Sequence, residues 1–230
     1  MRFDVIIPAL DEEATIGDVV QSAIDAGARR IVVVDNGSID QTPLRAAEAG
    51  ADVIRENIRG YGQACLSGLT ALSEDPPDWV LFCDGDGADD PKGLVAIVNS
   101  ARHDQVDFVI GNRANRSSEP GALTLPQRFG NRLACSLIWL LYRTRFHDLG
   151  PLRMIKWETL RTLNMQDPAF GWTVEMQVKA AKLKVRFCEI DVTARCRRGG
   201  ESKISGTIRG SVLAGITILR TIFKEAKTNV

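Results

Sequence analysis

A three-layer α/β fold with a mostly parallel central sheet is the class this sequence predicts, and three observations predict it. Arg30–Asp35 (RIVVVD) and Trp79–Cys83 (WVLFC) are nearly unbroken apolar runs. Such runs suit strands covered on both faces, whereas a half-exposed strand would alternate. These runs are interleaved with segments of helical apolar spacing, the order that builds a parallel sheet sandwiched by helices. Finally, Pro8-Ala9, Asp35-Asn36 and Asp84-Gly85-Asp86 each fall just past the end of a predicted strand. In open parallel sheets that carboxyl edge is where ligands bind.

Taken in order, Phe3–Pro8 reads as the first strand. A helix over Glu12–Ala26 follows, with Ile16, Val19, Val20, Ala23 and Ile24 on one face. Strand Arg30–Asp35 leads through the polar loop NGSIDQT to a helix over Pro43–Ala49. Asp52–Arg55 is a third strand. Gly60-Tyr61-Gly62 opens a helix reaching Leu72. Strand Trp79–Cys83, a helix after Pro91 and strand Phe108–Gly111 complete the alternating half. Beyond Arg113 the pattern changes. A Ser-, Pro- and Gly-rich loop spans 114–126, and a helix over Gln127–Tyr142 contains the apolar stretch Leu133–Tyr142. Helices follow over Glu158–Leu163 and Thr173–Leu183, then an alternating strand over Val185–Thr193. A basic loop over Arg195–Gly206 precedes a final amphipathic helix over Ile208–Glu225. These readings divide the chain into a main domain, 1–206, and a C-terminal amphipathic segment, 207–230, of a kind that can lie in a membrane interface. No apolar run approaches the ~20 residues that span a bilayer.

The chain has 230 residues, 44% of them hydrophobic, enough for one large core without disulfides. Its five cysteines, Cys65, Cys83, Cys135, Cys188 and Cys196, form no Cys-X-X-Cys pair. They read as reduced thiols of a cytoplasmic protein, with no zinc site. The start shows no basic segment followed by an apolar one, so no signal peptide is expected. Formal charge is zero but unevenly spread. Residues 1–100 carry 7 Lys and Arg against 18 Asp and Glu, a net of −11, and residues 101–230 carry a net of +11. An acidic half can hold a cation, and a basic half can attract phosphate or an anionic membrane surface. Nucleic acid is not expected, because no basic run is interleaved with aromatics and no reader motif is present. The two histidines, His103 and His147, are too few for a Ser-His-Asp hydrolase or a histidine metal cluster.

Two carboxylates one residue apart at a strand tip, Asp84 and Asp86, offer the hard oxygen ligands that Mg²⁺ and Mn²⁺ prefer, and these cations commonly arrive with a diphosphate. Glu12 fits either a contact to a base or ribose, or the first turn of a helix, where negative charge is favourable. Gly60-Tyr61-Gly62 fits either an anion-binding helix N-terminus beside Arg59 or a plain glycine-rich turn. Arg128 and Arg132 lie one turn apart on one helix face. Arg113, Arg197 and Lys203 carry charges suited to phosphate. Ser38 and Asp40 read as capping residues for the next helix.

Seven segments occurring in one order resemble glycosyltransferases of family 2 with the GT-A fold, and within them the polyprenyl- and dolichyl-phosphate mannose or glucose synthases: IIPALDEE, VVDNGSIDQT, RGYGQA, DGDGADDP, GNR, FGWTVEM and RRGGESKISGT. The resemblance implies a nucleotide-embracing segment at Pro8, Ala9 and Glu12, continued by Asp35, Asn36, Arg59, Asp84 and Gly85. It implies Asp86 as the direct ligand of Mg²⁺ or Mn²⁺, bridging to the donor diphosphate, with Asp84 on ribose or a metal-bound water. Ala88 and Asp89 stand where relatives carry a glutamine or histidine. It further implies Arg113, Arg128, Arg132, Arg197, Ser202 and Lys203 around the acceptor phosphate. Asp148, with Arg197 and Asp86, is placed in the catalytic set, and either Asp148 or Glu175 is implied to orient the acceptor. The implied reaction is an inverting transfer of a hexose from a GDP- or UDP-linked sugar to a polyprenyl phosphate, by a protein touching the inner face of the membrane peripherally. A hydroxyl acceptor, which would need Asp148 or Glu175 as base, and a nucleotidyl transfer remain alternatives.

Overall fold

The computed structural model describes residues 1–103, 105–115, 118–196 and 217–225. Seven strands form one sheet: β1 (Phe3–Ala9), β2 (Arg30–Asp35), β3 (Asp52–Arg55), β4 (Trp79–Phe82), β5 (Phe108–Asn112), β6 (Arg153–Lys156) and β7 (Phe187–Asp191). Their order is β3-β2-β1-β4-β6-β5-β7. All neighbours run parallel except β6, which is antiparallel to both β4 and β5.

Successive residues of a strand face opposite sides, and the sheet divides its side chains accordingly. Ile6, Val32, Val80, Phe82, Phe108, Ile110 and Ile155 pack on one face, under α3 (Tyr61–Leu72), α5 (Leu125–Tyr142), α6 (Trp157–Leu163) and α7 (Trp172–Lys182). Val5, Ile7, Val33, Leu81, Val109 and Met154 pack on the other, under α1 (Ile16–Asp25), α2 (Thr42–Glu48) and α4 (Pro91–His103). Burial on both faces is why RIVVVD and WVLF are continuous apolar runs. The chain winds outward from β1 to β2 and β3, then crosses to β4 on β1's other side. The carboxyl ends of β1 and β4 therefore flank the point where the winding reverses, the usual crevice for a ligand.

Besides one- and two-residue shifts at the ends of other elements, three details differ from the sequence expectation. α1 begins at Ile16, not Glu12, because Glu12 opens a turn in which its carbonyl accepts from the Thr15 and Ile16 N–H groups at 3.0 and 2.9 Å. α5 begins two residues before Gln127, on a capping box in which Gln127 N–H bonds Thr124 Oγ1 and the Gln127 side chain accepts from Thr124 N–H at 2.8 Å. β6 went unrecognised in the sequence: it is four residues long and half of them are basic. Arg153 is fully buried in it, its guanidinium held by the carbonyls of Leu149, Gly150 and Thr173.

Residues 217–225, the described part of the C-terminal segment, are helical and pack against the main domain. Ile222 is fully buried in the α3/α5/α7 core, and Tyr142 donates to its carbonyl at 3.0 Å. This stretch thus shares the core of the preceding residues rather than standing apart from it.

Candidate active site

The site grows from the strand tips. At the end of β4, the Asp84 Oδ1 accepts a hydrogen bond from the Tyr61 hydroxyl at 3.0 Å. Asp86 is buried, and its Oδ1 accepts from the Ala88 N–H at 2.9 Å, which closes the acidic loop on itself. Thr15 Oγ1 donates to the Gly85 carbonyl at 2.8 Å. A Cβ on Gly85 would lie 3.5 Å from both the Ala9 Cβ and the Pro8 carbonyl oxygen. The acidic motif therefore lies beside the end of β1, with room for about one methyl group between them.

Asp35 closes β2. It is buried, accepts from the Ser38 N–H at 2.9 Å and is ion-paired with Arg55. Arg55 was not anticipated, although the signal existed: both residues end their strands, and parallel pairing sets Asp35 opposite Arg55. Asn36 is turned to the backbone. Its Nδ2 donates to the carbonyls of Glu56 and Ile58, and its Oδ1 accepts from Gly60 N–H at 2.7 Å. It organises the loop leading into α3, and its side chain is occupied there. Ser38 and Asp40 are not the N-cap expected of them, since α2 starts from Gln41 without a side-chain cap; they accept from the Asp11 and Glu13 N–H groups, and Thr42 Oγ1 accepts from Glu12 N–H at 2.7 Å. The loops after β1 and β2 are laced together this way, and Glu12 sits in that lacing, outside the helix turn.

The N-terminus of α3 is not the free anion site that its glycines suggested. Its Gly62 and Gln63 N–H groups donate to the carbonyls of Ala169 and Pro168 at 3.1 and 2.8 Å. A Cβ at Gly62 would overlap the Asp167 carbonyl, so the glycine admits this close clamp. Arg59 is exposed and donates to the Gly37 carbonyl at 3.0 Å.

At the tip of β5, Arg113 grips Asp148. Its Nε and Nη2 donate to the two carboxylate oxygens at 2.9 and 3.1 Å, and its main-chain N–H adds a third bond at 2.7 Å. Burial pushes the Asp148 carboxyl upward, but Arg113 outweighs it and holds the group below the ordinary range. Asn131 of α5 fastens the same loop through the His147 carbonyl and the Leu149 N–H, and Gln177 of α7 donates to the Asp148 carbonyl at 2.9 Å. Glu175 is spent elsewhere: it accepts from the Gln166 and Asp167 N–H groups and pairs with Lys179 at 2.7 Å, fixing the loop that clamps α3.

The acidic motif shows a local excess of negative charge. Burial, with Asp84 and then Asp86 nearby, pushes the Asp89 carboxyl up to about 7 against the opposing pull of Arg113. Among the described residues no three His, Cys, Asp or Glu side chains converge as a ready-made cage. Two carboxylates at a strand tip in surplus negative potential suit a cation that completes its shell with water and phosphate, as Mg²⁺ and Mn²⁺ do. Residues 194–195 return to this loop, with Arg195 N–H on the Ala88 carbonyl and the Arg195 guanidinium on Asp90, both at 2.8 Å. Arg128 and Arg132 lie exposed on α5, away from any described partner in an ion pair. Arg197, Ser202 and Lys203 lie outside the described residues.

The sequence profile of Glycosyl transferase family 2 matches residues 4–166. An uncharacterised glycosyltransferase of Mycobacterium tuberculosis is 36% identical over 95% of this chain and 96% of its own length. The undecaprenyl-phosphate mannosyltransferase of Micrococcus luteus is 26% identical over 94% of this chain and 93% of its own. Among solved structures, glucosyl-3-phosphoglycerate synthase from Mycobacterium tuberculosis, in complex with Mn²⁺, UDP and phosphoglyceric acid, superposes with a TM-score of 0.77 at 20% identity, covering all of this chain and 80% of that one. With this match, and with the acidic strand tip at the reversal point of its sheet, the chain belongs to glycosyl transferase family 2 and has the GT-A fold.

Proposed function

We propose that this glycosyltransferase moves a hexose, with inversion, from a nucleotide-diphosphate sugar to a polyprenyl phosphate, using Mg²⁺ or Mn²⁺ held at Asp84 and Asp86. The observation that carries the donor half is the placement of Asp84-Gly85-Asp86 beside Pro8-Ala9 at the sheet's reversal point. When bound, the cation supplies Lewis-acid neutralisation of the departing diphosphate. The Mn²⁺ and UDP in the structurally similar synthase are in keeping with this. Asp35 and Arg55, side by side at the next strand tip, offer an acceptor and a donor to the nucleoside.

For the acceptor, the state of Asp148 favours phosphate. A carboxylate held ionised by a guanidinium is a weak base, poorly matched to drawing a proton from a hydroxyl. A phosphate monoester, with a second pKa near 6, is already mostly dianionic at neutral pH and needs only placement. In this reading Asp148 is a positioning residue for Arg113, whose Nη1 remains for an incoming phosphate oxygen. Arg197, Ser202 and Lys203 would complete the anion site. The lipid is favoured by α5. Leu125 and Phe129 are 81% and 71% exposed, one turn apart, with Arg128 and Arg132 also exposed beside them. An apolar stripe edged by arginine suits the interface of an anionic membrane. The same helix anchors the Asp148 loop through Asn131, which would bring a lipid headgroup to Arg113. No helix among the described residues is long and apolar enough to cross a membrane, so the contact would be peripheral.

The test is transfer of labelled hexose from GDP- and UDP-sugars, with polyprenyl phosphate in anionic vesicles as acceptor. Label should enter the organic-extractable product with release of a nucleoside diphosphate. The Leu125→Ser/Phe129→Ser variant should float with vesicles at least 10-fold less and lose lipid-dependent turnover in proportion. Transfer only to a water-soluble acceptor, or release of pyrophosphate, would contradict the proposal.

A further inference from the structure

We propose that Tyr61 is a positioning residue for the cation site, fixing the Asp84 carboxylate through its hydroxyl. The inference rests on the reading of Asp84 and Asp86 as cation ligands. No role for Tyr61 follows from the sequence pattern, where it separates two glycines. In the structure those glycines explain it. Gly60 and Gly62 lack the Cβ that would overlap the 167–168 backbone, and the 168–169 carbonyls cap the Gly62 and Gln63 N–H groups. Tyr61, the first residue of α3, is thus mounted on a helix end clamped from outside, itself braced by Glu175 through the Gln166 and Asp167 N–H groups. Its ring packs against the core under the sheet, and its hydroxyl reaches Asp84 Oδ1 at 3.0 Å.

That geometry has a chemical consequence. An aspartate at a strand tip can rotate about its last torsion, and a free carboxylate must give up that rotation when it binds a cation. The phenol occupies one lone pair of Oδ1 and sets the carboxylate plane before the cation arrives. Groups that orient ligands in this way commonly contribute 10- to 100-fold in metal affinity. A phenol carries its proton throughout the neutral range and so serves as a donor there.

The experiment is titration of the whole chain with Mn²⁺ alone, following free Mn²⁺ by electron paramagnetic resonance, for wild type, Tyr61→Phe, Asp84→Asn and the double variant. Phenylalanine keeps the ring and its packing. Tyr61→Phe should weaken Mn²⁺ binding about 10-fold or more and raise the donor KM in parallel. In the Asp84→Asn background the same change should have no further effect, because its route has been removed. Equal Mn²⁺ affinity in wild type and Tyr61→Phe, or an undiminished effect of the change in the Asp84→Asn background, would overturn the inference while leaving the cation reading in place. A wild-type chain that binds no Mn²⁺ would overturn that reading, and this inference with it.

Discussion

Glycosyl transfer should fall by about 10³-fold or more when Asp86 is replaced by alanine or asparagine. Several kcal/mol of charge stabilisation at a departing diphosphate depend on a cation held at this position, and each 1.4 kcal/mol is about a factor of ten in rate. The two variants separate chemistry from folding. Asp86 is buried and accepts from the Ala88 N–H at 2.9 Å, so alanine also removes a loop contact worth about 1 kcal/mol. Asparagine keeps an oxygen for that N–H and removes only the charge. Comparable losses of turnover in both, with little change in the melting temperature of Asp86→Asn, would place the effect on the cation. Turnover within a few-fold of wild type in either variant would contradict the assignment.

The largest effect on stability is expected at Arg113 and Asp148. Replacing Arg113 by methionine leaves the Asp148 carboxylate, 1% exposed, without its two guanidinium bonds. Stranding one member of a buried ion pair costs about 3–5 kcal/mol, which for a domain of this size lowers the melting temperature by roughly 6–20 °C. The loss should depend on pH, with a definite sign. In the wild type, burial raises the Asp148 carboxyl but Arg113 outweighs it, so its folded pKa lies below the unfolded one. Its contribution is therefore present above the unfolded value near 4 and is lost only as pH falls through the folded value. In Arg113→Met burial is opposed only by main-chain hydrogen bonds such as that from residue 113, so the folded value rises from its wild-type position and the variant loses less stability than the wild type as pH falls toward 4. The gap between the two proteins should narrow from pH 7 to pH 4.5 in urea denaturation. A gap below 1 kcal/mol, or one that does not change with pH, would contradict the description of this pair.

Much of the fold was legible because it rests on local pattern. Arg30–Asp35 was bounded to the residue, since a strand buried on both faces announces itself as an apolar run ended by polar residues, and the edge strand Asp52–Arg55 was bounded by the charged residues at its two ends. The strand-tip acids were legible for the same reason: a parallel sheet sends every such ending to one edge. β6 was not, because its arginine is neutralised by carbonyls of residues 149, 150 and 173 rather than by a charge, and its antiparallel place between β4 and β5 has no local signature. The start of α1 was misplaced because Glu12–Thr15 has helical composition but is held in a turn by the loop after β2. Of the two readings open for Gly60-Tyr61-Gly62, the free anion-binding N-terminus fails for a tertiary reason, the Gly62 and Gln63 N–H groups being taken by a loop that follows α6. Arg55 and Tyr61 belong to the same class: each meets its aspartate only through tertiary structure, Arg55 across a strand pair and Tyr61 from the start of a helix set beside β4.

One measurement bears most directly on the cation-held donor. The melting temperature of the wild type is followed with excess UDP and GDP, with Mn²⁺ and with a chelator, alongside Asp86→Asn. A ligand at a hundred times its dissociation constant stabilises the fold by about 2.7 kcal/mol, roughly 5–10 °C here. At least one nucleotide should produce a shift of that size with Mn²⁺, almost none with chelator, and almost none in Asp86→Asn. Equal shifts with and without the cation, or a full shift in Asp86→Asn, would show that the strand-tip aspartates do not hold the donor through a metal.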